Sequence, residues 1–119
     1  MLWKYATNAS ILSSPSVTDN GTIYIASQDG SLYAINSTGS KIWSVGTYNE
    51  IDHSSPAVGL DGNIYIGSND QRIYCFSSKG GKPIWTFYTT GWINSSPSVS
   101  TDGTVYVLVC YLNILTRLL

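Results

Sequence analysis

The sequence predicts an all-β chain of four-stranded antiparallel β-propeller blades, about two to three of them, each repeating over 41 residues. Three observations carry that prediction. Ser13-Ser14-Pro15, Ser54-Ser55-Pro56 and Ser95-Ser96-Pro97 recur at an interval of 41 residues. Tyr24, Tyr65 and Tyr106 keep the same interval, and so do Tyr33 and Tyr74. Between these anchors, short β-branched and aromatic runs alternate with Asp-Gly and Asn-Gly pairs. A period in the low forties, made of strand formers and tight turns, is the signature of propeller blades.

The elements follow in order. Trp3-Lys4-Tyr5-Ala6-Thr7 resembles Trp43 to Thr47 and Trp85 to Thr89, so residues 1–12 read as the last strand of a preceding blade and a linker. Residues 13–53 form one blade. Its turns are Asn20-Gly21, Asp29-Gly30 and Ser37 to Ser40, and its later strands are Ile23 to Ile25, Leu32 to Ile35 and Ile42 to Val45. Residues 54–94 form the next blade, with strands Ser54 to Val58, Asn63 to Ser68, Arg72 to Phe76 and Pro83 to Tyr88. Its turns are Asp61-Gly62, Asn69-Asp70 and Ser77 to Gly81. Asp-Gly and Asn-Gly favour the positive dihedrals of a type I′ hairpin. Trp43 and Trp85 are 42 residues apart, and Pro83 supplies the extra residue in a turn that tolerates insertion.

Residues 95–119 read as an incomplete blade. Ser95 to Val107 supplies two strands around Asp102-Gly103. From Val109 to Leu119 the pattern breaks: Tyr111-Leu112 stands where a turn is due, and Leu115 where a tyrosine is due. An irregular third strand, a capping helix or the scar of a truncation are the three expectations there.

Composition narrows the function classes. Charged residues make up 11% of the chain, against about 25% in an ordinary domain, and the net charge is −1. That excludes the basic field that nucleic acid or an anionic membrane surface requires. No apolar stretch reaches the roughly 20 residues of a membrane span, and the N-terminus lacks the apolar core of a signal peptide. Cys75 and Cys110 occupy non-equivalent repeat positions and read as apolar fillers rather than a disulfide or metal pair. Asn-x-Ser/Thr triplets at Asn8, Asn20, Asn36 and Asn94 are expected by chance in a chain this rich in Ser and Asn.

The chemical candidates are few. Asp52-His53-Ser54 holds the residue types of a hydrolytic triad, but consecutive residues do not converge on one substrate, so His53 reads as a solvated loop residue. Asp29, Asp61, Asp70 and Asp102 recur where turn chemistry wants them. Glu50 and Asp52 form an acidic pair with too few oxygens for calcium. In Ser-Ser-Pro, proline opens a strand where its missing N–H is not needed, and the serines bond locally to backbone. The innermost strands of a propeller line its channel, which makes His53, Ser54, Asn94 and Ser95 the candidate channel-face contacts.

Taken together, Ser-Ser-Pro, Asp-Gly-x-Ile-Tyr-Ile, Leu32-Tyr33-Ala34-Ile35 and Gly81-Lys82-Pro83-Ile84-Trp85 resemble the pyrroloquinoline-quinone-type propeller repeat, up to about Val107. The resemblance implies that Trp3, Trp43 and Trp85 are structural docking residues, each indole lying across a neighbouring blade. It also implies a cell-envelope or extracellular location. Enzymatic members hold the quinone and calcium on the channel axis with a catalytic aspartate and often a Cys-Cys pair. This chain has no Cys-Cys, so no cofactor is expected unless it is part of a larger quinoprotein. The function expected is a non-enzymatic scaffold or interaction module that binds protein or polysaccharide; the alternative is a fragment of a quinone-dependent dehydrogenase. Propellers have at least about four blades, and 119 residues hold about three repeats. A fragment, an open arc that needs a partner, or a homo-dimer closing about six blades are the expectations that follow.

Overall fold

The computed structural model describes residues 2–109 and 114–118. Its first sheet pairs β1 (Ser16–Val17), β2 (Ile23–Ala26), β3 (Ser31–Ile35) and β4 (Lys41–Gly46) in sequence order. The second repeats that order with β5 (Ala57–Val58), β6 (Ile64–Gly67), β7 (Arg72–Phe76) and β8 (Trp85–Tyr88). The third holds β9 (Ser98–Val99), β10 (Val105–Val109) and β11 (Ile114–Leu118), in the order β11-β10-β9. Every pairing is antiparallel. These are meander blades: two complete ones and three strands of another.

The core lies between blades rather than within them. Side chains alternate across a strand, so a sheet that is apolar on both faces buries each face against a different neighbour. Tyr24, Ala26, Leu32 and Ala34 leave one face of the first blade and pack with Ile64, Ile66, Tyr74 and Phe76 of the second. Ile51, from the link between them, completes this cluster. Tyr65, Ile73 and Cys75, on the far face of the second blade, pack with Val105, Val107 and the linking Ile93. Cys75 is a free thiol, pushed up to about 11 by burial; Cys110 lies outside the described residues.

Three expectations are corrected, and the tail takes one of the three forms expected of it. The Asn-Gly and Asp-Gly turns are not type I′, because only the glycine of each pair takes a positive φ. Gly21 N–H bonds Thr18 O at 2.9 Å and Thr18 N–H bonds Thr22 O at 3.0 Å, a three-residue loop closed by a glycine bulge. The innermost strands are shorter than expected: β5 begins at Ala57 rather than Ser54, since Pro56 has no N–H and Ser55 N–H is spent on the next blade. Residues 3–7 pair with no strand among the described residues. The tail forms a paired third strand, but slipped by one. Val105 faces Leu118, whereas Ile64 faces Phe76 and a shift of 41 would bring Arg117 there. Thr116 therefore takes the tyrosine position opposite Val107, while Leu115 faces Leu108. Tyr111 and Leu112 lie outside the described residues.

Candidate interaction surface

On one side of the blades, the inter-blade links run beside the β2–β3 and β6–β7 turns. Gln28 N–H donates to Ser10 O and Asn69 N–H to Glu50 O, both at 2.9 Å. Asp29 and Asp70 stitch this face, using more than turn chemistry. One oxygen accepts the N–H two residues on, from Ser31 at 2.8 Å or Arg72 at 2.9 Å. The other accepts a tyrosine hydroxyl, Tyr33 at 2.5 Å or Tyr74, and a backbone N–H of the link, Asn8 at 3.2 Å or Tyr48 at 3.0 Å. Burial first, then the neighbouring carboxylate, pushes Tyr33 and Tyr74 up to about 12.

The serine motifs serve the same end near the inner edge. Ser13 Oγ donates to Ala26 O at 3.2 Å, Ser54 Oγ accepts Gly67 N–H at 2.9 Å, and Ser95 Oγ joins both Leu108 N and O. The second serines bridge neighbours: Ser14 N–H donates to Ser55 Oγ at 2.9 Å and Ser55 N–H to Ser96 Oγ at 2.8 Å. Ser54 is thus buried and bonded within its own blade. His53 is exposed. It is the one extra residue of its link: Thr47 to Ser54 is a residue longer than Thr7 to Ser13 or Thr89 to Ser95. Asn94 has a buried Oδ1 without a partner among the described residues, as does Asn69. Asp52 accepts Gln28 Nε2 and Asn69 Nδ2, each at 2.8 Å, and these bonds hold its carboxyl below the usual range.

The tryptophans cross between blades. Trp3 Nε1 donates to Ser37 O and Trp43 Nε1 to Ser78 O, each at 3.0 Å. Their rings lie against Gly39 and Gly80, where a Cβ would come within 2.6 and 2.8 Å of indole carbons. Trp85 packs on Tyr65 as Trp43 packs on Tyr24, with centroids 5.8 Å apart in both pairs, but its N–H has no acceptor among the described residues.

Among the described residues no three His, Cys, Asp or Glu side chains gather to hold a metal. The recurring carboxylates Asp29 and Asp70 have both oxygens engaged.

One corner departs from the repeat. Among the described residues seven bulged turns place their last residue at positive φ, between 73° and 89°, and in six of them that residue is glycine: Gly21, Gly30, Gly39, Gly62, Gly80 or Gly103. The seventh is Gln71, at φ 73° in the place of Gly30. A side chain there costs on the order of 1 kcal/mol. Gln71 Oε1 accepts the Tyr88 hydroxyl at 2.6 Å. Tyr88 stands opposite Arg72 on the adjacent strand. The Arg72 guanidinium lies 5.2 Å from the centroid of the Tyr48 ring, and Asp70 pairs with it at 3.9 Å. Tyr48 is 84% exposed and Tyr88 57%. The sequence reading missed this corner; comparing Gln71 with Gly30 was the signal that would have found it.

A family model described as outer membrane protein assembly factor BamB matches residues 1–57 and 36–116. Among solved structures, BamB from Moraxella catarrhalis is similar over 98% of this chain, with a TM-score of 0.78 and 22% identity. The WD40 β-propeller domain of Doa1 is similar over 87%, with a TM-score of 0.76 and 20% identity. The chain spans 35% and 34% of those two chains. At these identities the likeness shows the fold, a β-propeller present here in part. No curated protein matches the chain.

Proposed function

Because the chain belongs to the family of the outer membrane protein assembly factor BamB, we propose that it is a non-enzymatic β-propeller scaffold of the cell envelope. It binds a protein partner through the Tyr48–Arg72–Tyr88 corner of its second blade. The observation that supports this reading is Gln71, among the described residues the one side chain placed where six other bulged turns keep glycine. Backbone strain retained against the pattern of the repeat is a mark of function. Here it holds Tyr88 beside Arg72 and Tyr48. Exposed tyrosine and arginine set on rigid strands have the composition of interface hot spots. Arg72 already covers one face of the Tyr48 ring, which favours a protein partner over a sugar stacked on that ring.

The family match supports the envelope location. No helix among the described residues is long and apolar enough to cross a membrane. The test is a photo-reactive phenylalanine at Tyr48 in the producing cell. One discrete protein adduct, lost on Arg72→Ala, is the expected result. A smear of adducts, or an adduct indifferent to Arg72→Ala, rejects this corner as the interface.

A further inference from the structure

Among the described residues no blade packs on one apolar face of the first blade. Val17, Ile23, Ile25 and Ile35 form a groove of about 440 Å³ with Tyr5 and Ile11. These four positions correspond, at a shift of 41, to Val58, Ile64, Ile66 and Phe76, which are packed against the first blade. Ile64 and Ile66 are fully covered; Val17 is 66% exposed. At the other end of the arc, Tyr106 holds the position of the buried Tyr65, and Leu108 beside it on the same face is 53% exposed.

The hydrogen-bonding ends are complementary too. The serine bridges run from Ser14 to Ser55 to Ser96, leaving a Ser14 Oγ acceptor and a Ser96 N–H donor without partners among the described residues. Trp3 is docked on Ser37 as Trp43 is on Ser78, yet among the described residues no strand lies beside residues 3–7. Among the described residues no strand pairs with the outer edge of β11.

We propose that the groove on the first blade seats the third blade of a second copy of this chain, head to tail, with residues 3–7 entering that blade as its fourth strand beside β11. The joint continues the two that the chain already makes between its own blades. Ser96 N–H of the second copy reaches Ser14 Oγ. Trp3 lies opposite Arg117 of the second copy, because Arg117 faces Tyr106 as Ala34 and Cys75 face Tyr24 and Tyr65, and those two residues pair with Trp43 and Trp85. Leu108 is larger than Ala26 and Gly67 at the equivalent places, and it fills the open groove. Such an interface is heterologous, so it closes into a ring or propagates. It rests on the propeller reading of the fold and not on the Tyr48 corner.

The test is mass by light scattering at micromolar concentration. A discrete multiple of 12.9 kDa is expected. Ile25→Asp and Leu108→Asp each block one side of the joint, and each is expected to run as a monomer with an unchanged circular dichroism spectrum. An unpaired buried carboxylate should weaken the joint at least about 100-fold. Mixed together, the two variants retain one intact joint and should form a heterodimer. A disulfide between Ser14→Cys and Ser96→Cys, formed between copies and absent from either single variant, reports the same contact without a core change. A wild-type monomer, or variants that fail to associate on mixing, overturns the proposal. Arg72→Ala leaves the mass unchanged, so failure of this joint and failure of the Tyr48 corner are distinguishable.

Discussion

Trp43 and Gly80, from successive blades, touch so closely that a Cβ on Gly80 would lie 2.8 Å from the indole. Glycine is required there twice over, by the ring and by a φ of 77°. Gly80→Ala should cost about 2 kcal/mol or more, combining backbone strain with a displaced ring. Trp43→Ala should cost about 3 kcal/mol. Trp85→Ala should cost about 1 kcal/mol less than Trp43→Ala, since among the described residues its N–H has no acceptor to lose. Urea unfolding ranks the three; equal losses for the two tryptophans would refute the role given to the Ser78 carbonyl.

Gln71→Gly should raise stability by about 1 kcal/mol, because glycine takes positive φ without strain. It should also weaken the adduct at Tyr48, since Tyr88 loses the acceptor that fixes it. Gly30→Gln should destabilise by more than Gln71→Gly gains, since a Cβ there meets Asn49 O at 2.8 Å. A Gln71→Gly variant that is no more stable than wild type removes the argument from strain.

Asp52 makes stability depend on acidity. Hydrogen bonds from Gln28 and then Asn69 hold its folded value below the usual range. A depressed carboxyl stabilises the fold above its unfolded value, about 4, and that contribution is lost as pH falls through the folded value. Thermal unfolding should be flat from neutrality to about pH 5 and fall below about pH 4. Asp52→Asn should be less stable at neutrality and show a shallower acid limb. The slope that remains belongs partly to Asp102, which bonds from Ser100 and Thr104 lower to about 2. An unchanged acid limb in Asp52→Asn would assign the whole effect elsewhere.

At the alkaline end the sign reverses. Burial is the main reason Tyr33, Tyr65 and Tyr74 are each pushed up to about 12. A raised value stabilises the fold below the unfolded value, about 10, and this is lost as pH rises toward 12. The ultraviolet tyrosinate band should therefore titrate in two stages, with the late stage coinciding with unfolding. Tyr74→Phe should shrink the late stage. A single early stage would mean these hydroxyls are open to water.

The repeat was legible in the sequence because identical positions do identical work. Ser-Ser-Pro marks the inter-blade bridges, and Tyr24 and Tyr65 mark the faces that the next blade covers. Asp29 and Asp70 were legible only as turn formers, since the second carboxylate oxygen acts on a residue of the preceding link, remote in sequence. Ser54 read as a channel contact because its burial depends on Gly67, thirteen residues on. Residues 3–7 read as a strand because they carry the strand pattern, but a strand forms only beside another. The candidate corner was invisible to a search for motifs because it is a departure from one.

Since the apolar clusters lie between neighbours, each blade depends on the blades beside it more than on itself. Folding of such a chain is a nearest-neighbour problem, closer to a row of coupled switches than to one all-or-none transition. Within one isolated copy the second blade, covered on both faces, should hold its amide protons longest, with opening spreading inward from the first and third. The same coupling explains how such a chain grows: a duplicated blade meets, on either side, the surface it already fits.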